Sequence, residues 1–201
     1  MEAVLVTVGA VTFAATGALT AVRRGFDLVG LVILAFVTAV GGGSVRDLVT
    51  GNVPPAALTD ERLLWVVFAT ALVVAALHRR VPTGSALYAF DTASLAVFAA
   101  LGAQRGLEAG FGLWGTVFAG VLSGVGGGII RDVLAGEVPG VLYRSGDFYA
   151  AAAALGSLVA FVLVPISSTL GLTVAMFATV AARVGSRLAG LELPVPRRAV
   201  D

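Results

Sequence analysis

Residues 13 to 54 recur without a gap at residues 98 to 139, and this duplication constrains the fold more than any other feature of the chain. At a constant offset of 85 residues, nineteen of the forty-two aligned pairs are identical. Alanine, glycine and valine inflate chance agreement in such a sequence. The register nevertheless also holds rarer residues: Phe13 with Phe98, Phe26 with Phe111, Arg46 with Arg131, Asp47 with Asp132 and Pro54 with Pro139. Gly17, Gly25, Gly30 and Gly51 align with Gly102, Gly110, Gly115 and Gly136 in the same way. One structural unit has been used twice.

The unit is built for lipid. Hydrophobic residues make up 58% of the chain, charged residues only 12%, and the mean hydropathy is +0.99, far from the composition of soluble domains. Apolar runs at about 3–22, 28–45, 63–77, 86–104, 111–130, 148–164 and 168–182, uncharged but for Asp91 in the fourth, each approach the length of a bilayer crossing. Seven helices are predicted, joined by short connections rich in glycine, proline and charge. Each copy of the repeat holds three crossings. An odd number obliges the second copy to enter the membrane from the opposite side, with a pseudo-two-fold axis in the membrane plane. The expected fold is an all-α membrane protein with a 3+3 inverted repeat plus one helix. Residues 1–190 form a single transmembrane domain, with repeat 1 at about 1–82, repeat 2 at about 86–166 and the seventh helix at about 168–188, followed by a tail at 191–201.

Charge narrows the function classes. All thirteen basic residues are arginines scattered between apolar runs, and the net charge is +1, so no nucleic-acid partner is expected. With no cysteine and a single histidine, His78, there is no basis for a disulfide, a thiolate nucleophile, a His-based triad or a metal site. His78, beside Arg79 and Arg80, reads as an interfacial loop residue. The first apolar run has no basic region before it and is expected to be a retained helix rather than a signal peptide. Apart from Arg46 and Arg131, nine arginines fall on the side of the first, third and fifth connections and the C-terminus, against Arg62 and Arg105 on the other. The positive-inside rule then puts the N-terminus outside and the C-terminal tail in the cytoplasm.

The chemistry concentrates in GGGSVRD at 41–47 and GGGIIRD at 126–132. Three consecutive glycines weaken a helix and permit unusual dihedrals, so the second and fifth spans are expected to kink or break at Gly41, Gly42 and Gly43 and at Gly126, Gly127 and Gly128. A break within hydrocarbon is tolerated only against protein or a water-filled cavity, which makes these spans candidates to frame a pathway with freed carbonyls turned to a cation. The alternative is that the triplets only let helices pack closely. Arg46 and Arg131 follow within one turn, while Asp47 and Asp132 point roughly 100° away. A charge at membrane depth costs at least about 2.5 kcal/mol, so the four should face water or each other. One symmetric solution pairs Arg46 with Asp132 and Arg131 with Asp47, and structural ion pairs near the helix ends are the other reading.

Other positions carry weaker signals. Thr38 and Ser123 are repeat mates one turn before the glycines, and their hydroxyls either line a pathway or satisfy backbone carbonyls. Asp91 has only Val6 as its mate and reads as a water-facing pathway residue or a helix cap. Gly17, Gly102, Gly30 and Gly115 are expected to serve packing. Trp65, Trp114, Tyr143 and Tyr149 are expected to be interfacial anchors. GVGGGI at 124–129 has neither a βαβ unit nor a following Gly-Lys-Ser/Thr, which excludes a nucleotide loop. An intramembrane hydrolase would have to rest on Asp47 and Asp132, each beside an arginine that holds it ionised, so catalysis and cofactors are not expected.

GGGSVRDLVTGNVP and GVGGGIIRDVLAGEVP, with FAATGA and FAALGA upstream of them, resemble the two signature repeats of the prokaryotic branch of the trimeric intracellular cation channel family, over about residues 5–190. The resemblance implies seven membrane helices, a homotrimer with a pore in each protomer, and conduction of monovalent cations, potassium before sodium. It also implies that the second and fifth helices, kinked at the glycine triplets, frame that pore in the cell membrane of a prokaryote, with membrane lipids as surroundings. Eukaryotic members carry a lysine-containing motif after the first glycine kink, and this chain has no lysine. Some prokaryotic relatives with the same doubled motif are described as carriers of small amino acids, glycine in particular. A secondary transporter is therefore the alternative, because inverted repeats with broken helices are typical of transporters.

Overall fold

The computed structural model describes residues 1–80, 83–142 and 148–192. Among them all regular structure is helical: α1 Glu2–Arg24, α2 Leu28–Val49, the single turn α3 Ala56–Thr59, α4 Glu61–Leu77, α5 Thr83–Glu108, α6 Leu113–Leu134, α7 Tyr149–Leu163 and α8 Ser168–Leu188. Helices α1, α2, α5, α6 and α8 are long and apolar enough to cross a membrane, whereas α4 and α7 have 17 and 15 residues. The protein is a polytopic, all-helical membrane protein. Tyr143, Arg144 and the tail arginines Arg197 and Arg198 lie outside the described residues.

Local chemistry sets the helix ends, and the two copies repeat it. Gly25 and Gly110 close α1 and α5 in the left-handed conformation, at φ 70° and 76°. There Phe26 N–H donates back to Ala21 O and Phe111 N–H to Gly106 O, the hydrogen bonds that terminate a helix when a glycine accepts the positive φ. Asp27 caps α2 by accepting from Gly30 N–H at 2.7 Å, while its mate Gly112 starts α6 without a side-chain cap. Gly51 and Gly136 end α2 and α6 in the same left-handed state.

The contacts make the inversion visible. Helix α1 packs on α2 and α4 as α5 packs on α6 and α7, and the mates α1 and α5, and α2 and α6, pack on each other. Arg46 of α2 meets Ser123 of α6, Gly42 lies against Gly126, and Thr38 lies against Gly127. Partner numbers fall as α2 numbers rise, so the helices are antiparallel. The same holds for α1 and α5, where Glu2 meets Arg105 and Phe13 stacks on its own mate Phe98 with ring centroids 5.4 Å apart. Self-contact between mates on antiparallel helices places the pseudo-two-fold axis perpendicular to those helices, as the odd number of crossings requires. Helix α8 stands outside the repeat and covers α5 and α7.

The interior is made of small residues. Ala14, Ala18, Ala35, Ala71, Ala99, Ala103 and Ala119 are fully buried. Association of helices in lipid is driven by van der Waals contact rather than by hydrophobic transfer, so close approach is worth more than bulk. Gly17 and Gly102 fit this reading, since a Cβ on Gly17 would stand 2.6 Å from Leu34 O and one on Gly102 would stand 2.5 Å from Ser123 Cβ. Gly30 and Gly115 do not: their neighbours are Phe26 and Phe111, in the turn just before their own helix.

Of the kink or break expected in the second and fifth spans, the break does not occur. Helix α2 runs unbroken through Gly41, Gly42 and Gly43, and α6 through Gly126, Gly127 and Gly128. The glycines are used instead for contact between backbones. A Cβ on Gly42 would lie 2.6 Å from Ser123 O and 2.8 Å from Gly127 N, and one on Gly127 would collide with Thr38 O. Keeping the backbone hydrogen-bonded within each helix also avoids the several kcal/mol, on the order of a lost hydrogen bond in hydrocarbon, that an orphaned peptide group incurs.

Candidate functional site

The glycine crossing of α2 and α6 has a cavity at each end, and the repeat relates the two. The first, of about 630 Å³, is walled by the start of α1, by Val40, Gly43 and Arg46 of α2, by the start of α4, and by Phe98 and Arg105 of α5. The second, of about 260 Å³, lies between Tyr88 and Asp91 of α5, Gly128 and Arg131 of α6, Tyr149 of α7 and Arg183 of α8. Val6, Gly43, Arg46 and Ala56 line the first cavity where their mates Asp91, Gly128, Arg131 and Val141 line the second. Within each triplet the positions divide the work. Gly42, Gly126 and Gly127 make the crossing, while Gly43 and Gly128 line the cavities, where a Cβ on either would stand within 4 Å of its own arginine. Gly41 abuts Ile130.

Both arginines are buried, and both hold the aspartate that follows them. Arg46 Nη2 lies 2.6 Å from Asp47 Oδ1, and Arg131 Nη2 lies 2.9 Å from Asp132 Oδ1. The cross pairing of Arg46 with Asp132 and of Arg131 with Asp47 is thereby corrected. Geometry explains it: Arg46 lies beside Ser123, and Asp132 is nine residues further along α6, about 13 Å at a rise of 1.5 Å per residue. Neighbouring residues on a helix point apart, but the long arginine side chain folds back across that angle and donates from Nε as well.

The second carboxylate oxygen of each aspartate has another task. Asp47 Oδ2 accepts from Ala56 N–H at 2.9 Å, at the start of α3, and Asp132 Oδ2 accepts from Gly140 N–H at 3.2 Å. Each Arg-Asp pair thus fastens the connection that leaves its helix, across the left-handed glycine and the Val-Pro pair. The invariant spacing from aspartate to Gly51 or Gly136 and on to Pro54 or Pro139 was the sequence signal for this role.

The cavities differ in what else touches the arginines. Arg46 Nη1 donates to Ser123 Oγ in the other copy at 3.2 Å. Thr38, the mate of Ser123, turns its hydroxyl onto its own helix at Leu34 O, 2.6 Å away. Arg131 Nη1 instead reaches Asp91 Oδ1 within its own copy at 2.8 Å. Asp91 also meets Arg183 Nη2 at 2.8 Å through Oδ2 and accepts from the Tyr149 hydroxyl at 3.4 Å. Asp91 lies inside α5 and is not a cap, although it does line a cavity. Tyr149, expected at the interface, belongs to this cluster instead, whereas Trp65 and Trp114 are exposed at 68% and 82%. Sequence reasoning missed Arg183, Tyr88 and Arg105, because the first two act from outside the aligned segment and Arg105 faces a threonine, Thr20, in the repeat.

Comparison with known proteins agrees with this architecture. A family model described as "Glycine transporter" matches residues 3–79 and again 88–165, one match to each copy of the repeat. A UPF0126 membrane protein of Deinococcus radiodurans is 49% identical over 79% of this chain and 74% of its own length. A solved structure described as the basis for conductance through TRIC cation channels superimposes with a TM-score of 0.89 at 33% identity, covering 98% of both chains. The trimeric intracellular cation channel orthologue from Rhodobacter sphaeroides does so at 0.87 and 32%, over 94% of this chain and 98% of that one. An inverted repeat that crosses at doubled glycine triplets, and that matches these proteins over nearly its whole length, identifies the chain as a member of the trimeric intracellular cation channel family, in its prokaryotic branch.

Proposed function

We propose that the protein is a channel that conducts monovalent cations passively, potassium in preference to sodium, through a pathway in each protomer of a homotrimer. The observation that carries this reading is the pair of cavities that approach one glycine-lined crossing from opposite ends. The likeness to solved TRIC cation channels supports it. In the conducting form α2 and α6 bend at Gly41–Gly43 and Gly126–Gly128, where the intrinsic preference for helix is weakest, and the cavities join. Arg46, Arg131, Asp91 and Asp132 face that pathway, Asp47 fastens its rim, and Thr38 and Ser123 flank the crossing.

Seven helices span the cell membrane in this reading, with the shorter α4 and α7 accommodated by local thinning around the assembly. Arginine distribution places the N-terminus and the Arg46 cavity outside, and the C-terminus and the Arg131 cavity in the cytoplasm. No step requires a nucleophile or a general base, so the protein is not an enzyme.

The test is reconstitution of purified protein in planar bilayers, where unitary potassium currents are expected. The description of the matching family model favours a second reading, a glycine carrier. Saturable, concentrative glycine uptake without unitary currents would establish the carrier and refute the channel.

A further inference from the structure

We propose that Arg183 is a tethered blocking ion: its guanidinium occupies a cation cage in the cavity beside Arg131, where a permeating cation would otherwise bind. This deepens the channel reading and rests on it. The cage is built from three side chains on two helices. Asp91 of α5 supplies the carboxylate, with Oδ2 2.8 Å from Arg183 Nη2. Tyr88 of α5 and Tyr149 of α7 supply aromatic faces, with Arg183 Cζ 5.0 Å and 4.3 Å from the two ring centroids. A carboxylate flanked by the faces of two rings is a receptor for a cation of modest hydration, and a planar guanidinium fits it especially well.

The plug is an addition to the duplicated design. Asp91 replaces the Val6 of the first copy, and Arg183 comes from α8, the helix that has no counterpart in the repeat. The pair is therefore present in one cavity and not in its mate. Arg183 is 4% exposed and Asp91 5%, so the pair is held away from bulk water while still lining the cavity. Arg131, Arg183, Asp91 and Asp132 sum to zero, and Arg187, whose Cζ lies 3.9 Å from the centroid of the Tyr88 ring, adds one positive charge beside the cage. Removing Arg183 lowers the charge at the edge of the glycine crossing by one and leaves Asp91 less compensated, which favours the entry of cations. Asp91 keeps Arg131 as a partner in that case, so the site survives the loss of the plug.

The experiment compares wild type, R183A, R183Q and D91N/R183A as purified oligomers, by bilayer recording in symmetric potassium chloride and by thermal melting. Time-averaged potassium current is expected to rise about threefold or more in R183A and R183Q. Millimolar guanidinium chloride should then block R183A and raise its melting temperature relative to matched potassium chloride, because the free ion refills the cage. D91N/R183A should respond to guanidinium in neither assay. The proposal is overturned if wild type conducts and the Arg183 variants carry unchanged or smaller currents, or if guanidinium acts equally on D91N/R183A. It is also overturned if both R183A and R183Q fail to assemble, which would make Arg183 a structural cation. Absence of current from wild type would instead remove the channel reading, and the melting assay would still decide whether the cage exists.

Discussion

The cavities at the two ends of the α2 and α6 crossing descend from one ancestral unit, yet they have become different kinds of place. The Arg46 cavity is wide, and its arginine reaches across to Ser123 of the other copy. The Arg131 cavity is less than half that volume and is tied by Asp91, Arg183 and Tyr149. What the copies share is scaffolding: the left-handed glycines, the aspartate fastened to the next connection, and the glycine crossing itself. What they do not share is the electrostatics of the cavity. Duplication supplied the frame, and later divergence at a few positions supplied the chemistry of each entrance.

The largest effects should come from the shared frame. Gly42→Leu or Gly127→Leu drives a branched side chain into the backbone of the partner helix, at Ser123 O or Thr38 O, with nothing flexible to give way. Each is expected to destabilise the folded oligomer by about 3 kcal/mol or more. The measure is the melting temperature and the monodisperse fraction on size exclusion. Gly43→Ala provides the contrast, since its Cβ would meet only Arg46 Nη2 at 3.8 Å. If Gly42→Leu and Gly43→Ala melt alike, the division of labour within the triplet is wrong.

Next in size is the fastening by aspartate, where the two copies should differ in degree. Asp47 is 1% exposed and holds Arg46 and Ala56 N–H, so Asp47→Ala leaves a buried arginine without its carboxylate and should cost about 3 kcal/mol. The Asp132 side chain is 13% exposed, its bond to Gly140 N–H is longer, and Arg131 retains Asp91, so Asp132→Ala should cost about half as much. Equal losses in a thermal melt would remove the distinction between the entrances.

How much of this was legible in the sequence follows the same line. The duplication, its odd number of spans and the inversion can be read from the register alone, because Phe13, Arg46, Asp47 and Pro54 recur at one offset. The continuity of α2 and α6 could not be read, since a glycine triplet serves a break and a close crossing equally well, and only the partner backbone decides. The cross pairing of the arginines fails for a related reason. Periodicity gives the direction of a side chain at its Cβ, whereas Arg46 and Arg131 are long enough to turn back on the adjacent aspartate. Arg183 was hidden because no repeat mate marks it, and its partner Asp91 lies 92 residues away in the chain.

The smallest expected effect lies on the surface, where the copies again differ. Glu137, just after α6, pairs with Arg24 at 2.5 Å and with Arg23 at 3.2 Å, tying the end of α1 to the connection that leaves α6. Its mate is Asn52, and the mates of the two arginines are Glu108 and Ala109, so this tie exists at one face only. At the other face Arg105 holds Glu2 and Glu108 instead. The Glu137 tie is partly exposed, with side-chain accessibilities of 40% for each arginine and 29% for the glutamate. An ion pair in that setting gains little over hydration and pays the ordering of long side chains, so Glu137→Gln should destabilise by no more than about 1 kcal/mol. Salt decides between this tie and the aspartate fastenings. Raising ionic strength from 0.15 M to 1 M shortens the Debye length from about 8 Å to about 3 Å, which should erase the Glu137→Gln difference in melting temperature. The Asp47→Ala difference should persist, because screening ions do not enter a site that is 1% exposed. A Glu137→Gln loss that survives 1 M salt would mean that the tie is shielded by neighbouring protein, and that this face is as much part of the frame as the glycine crossing.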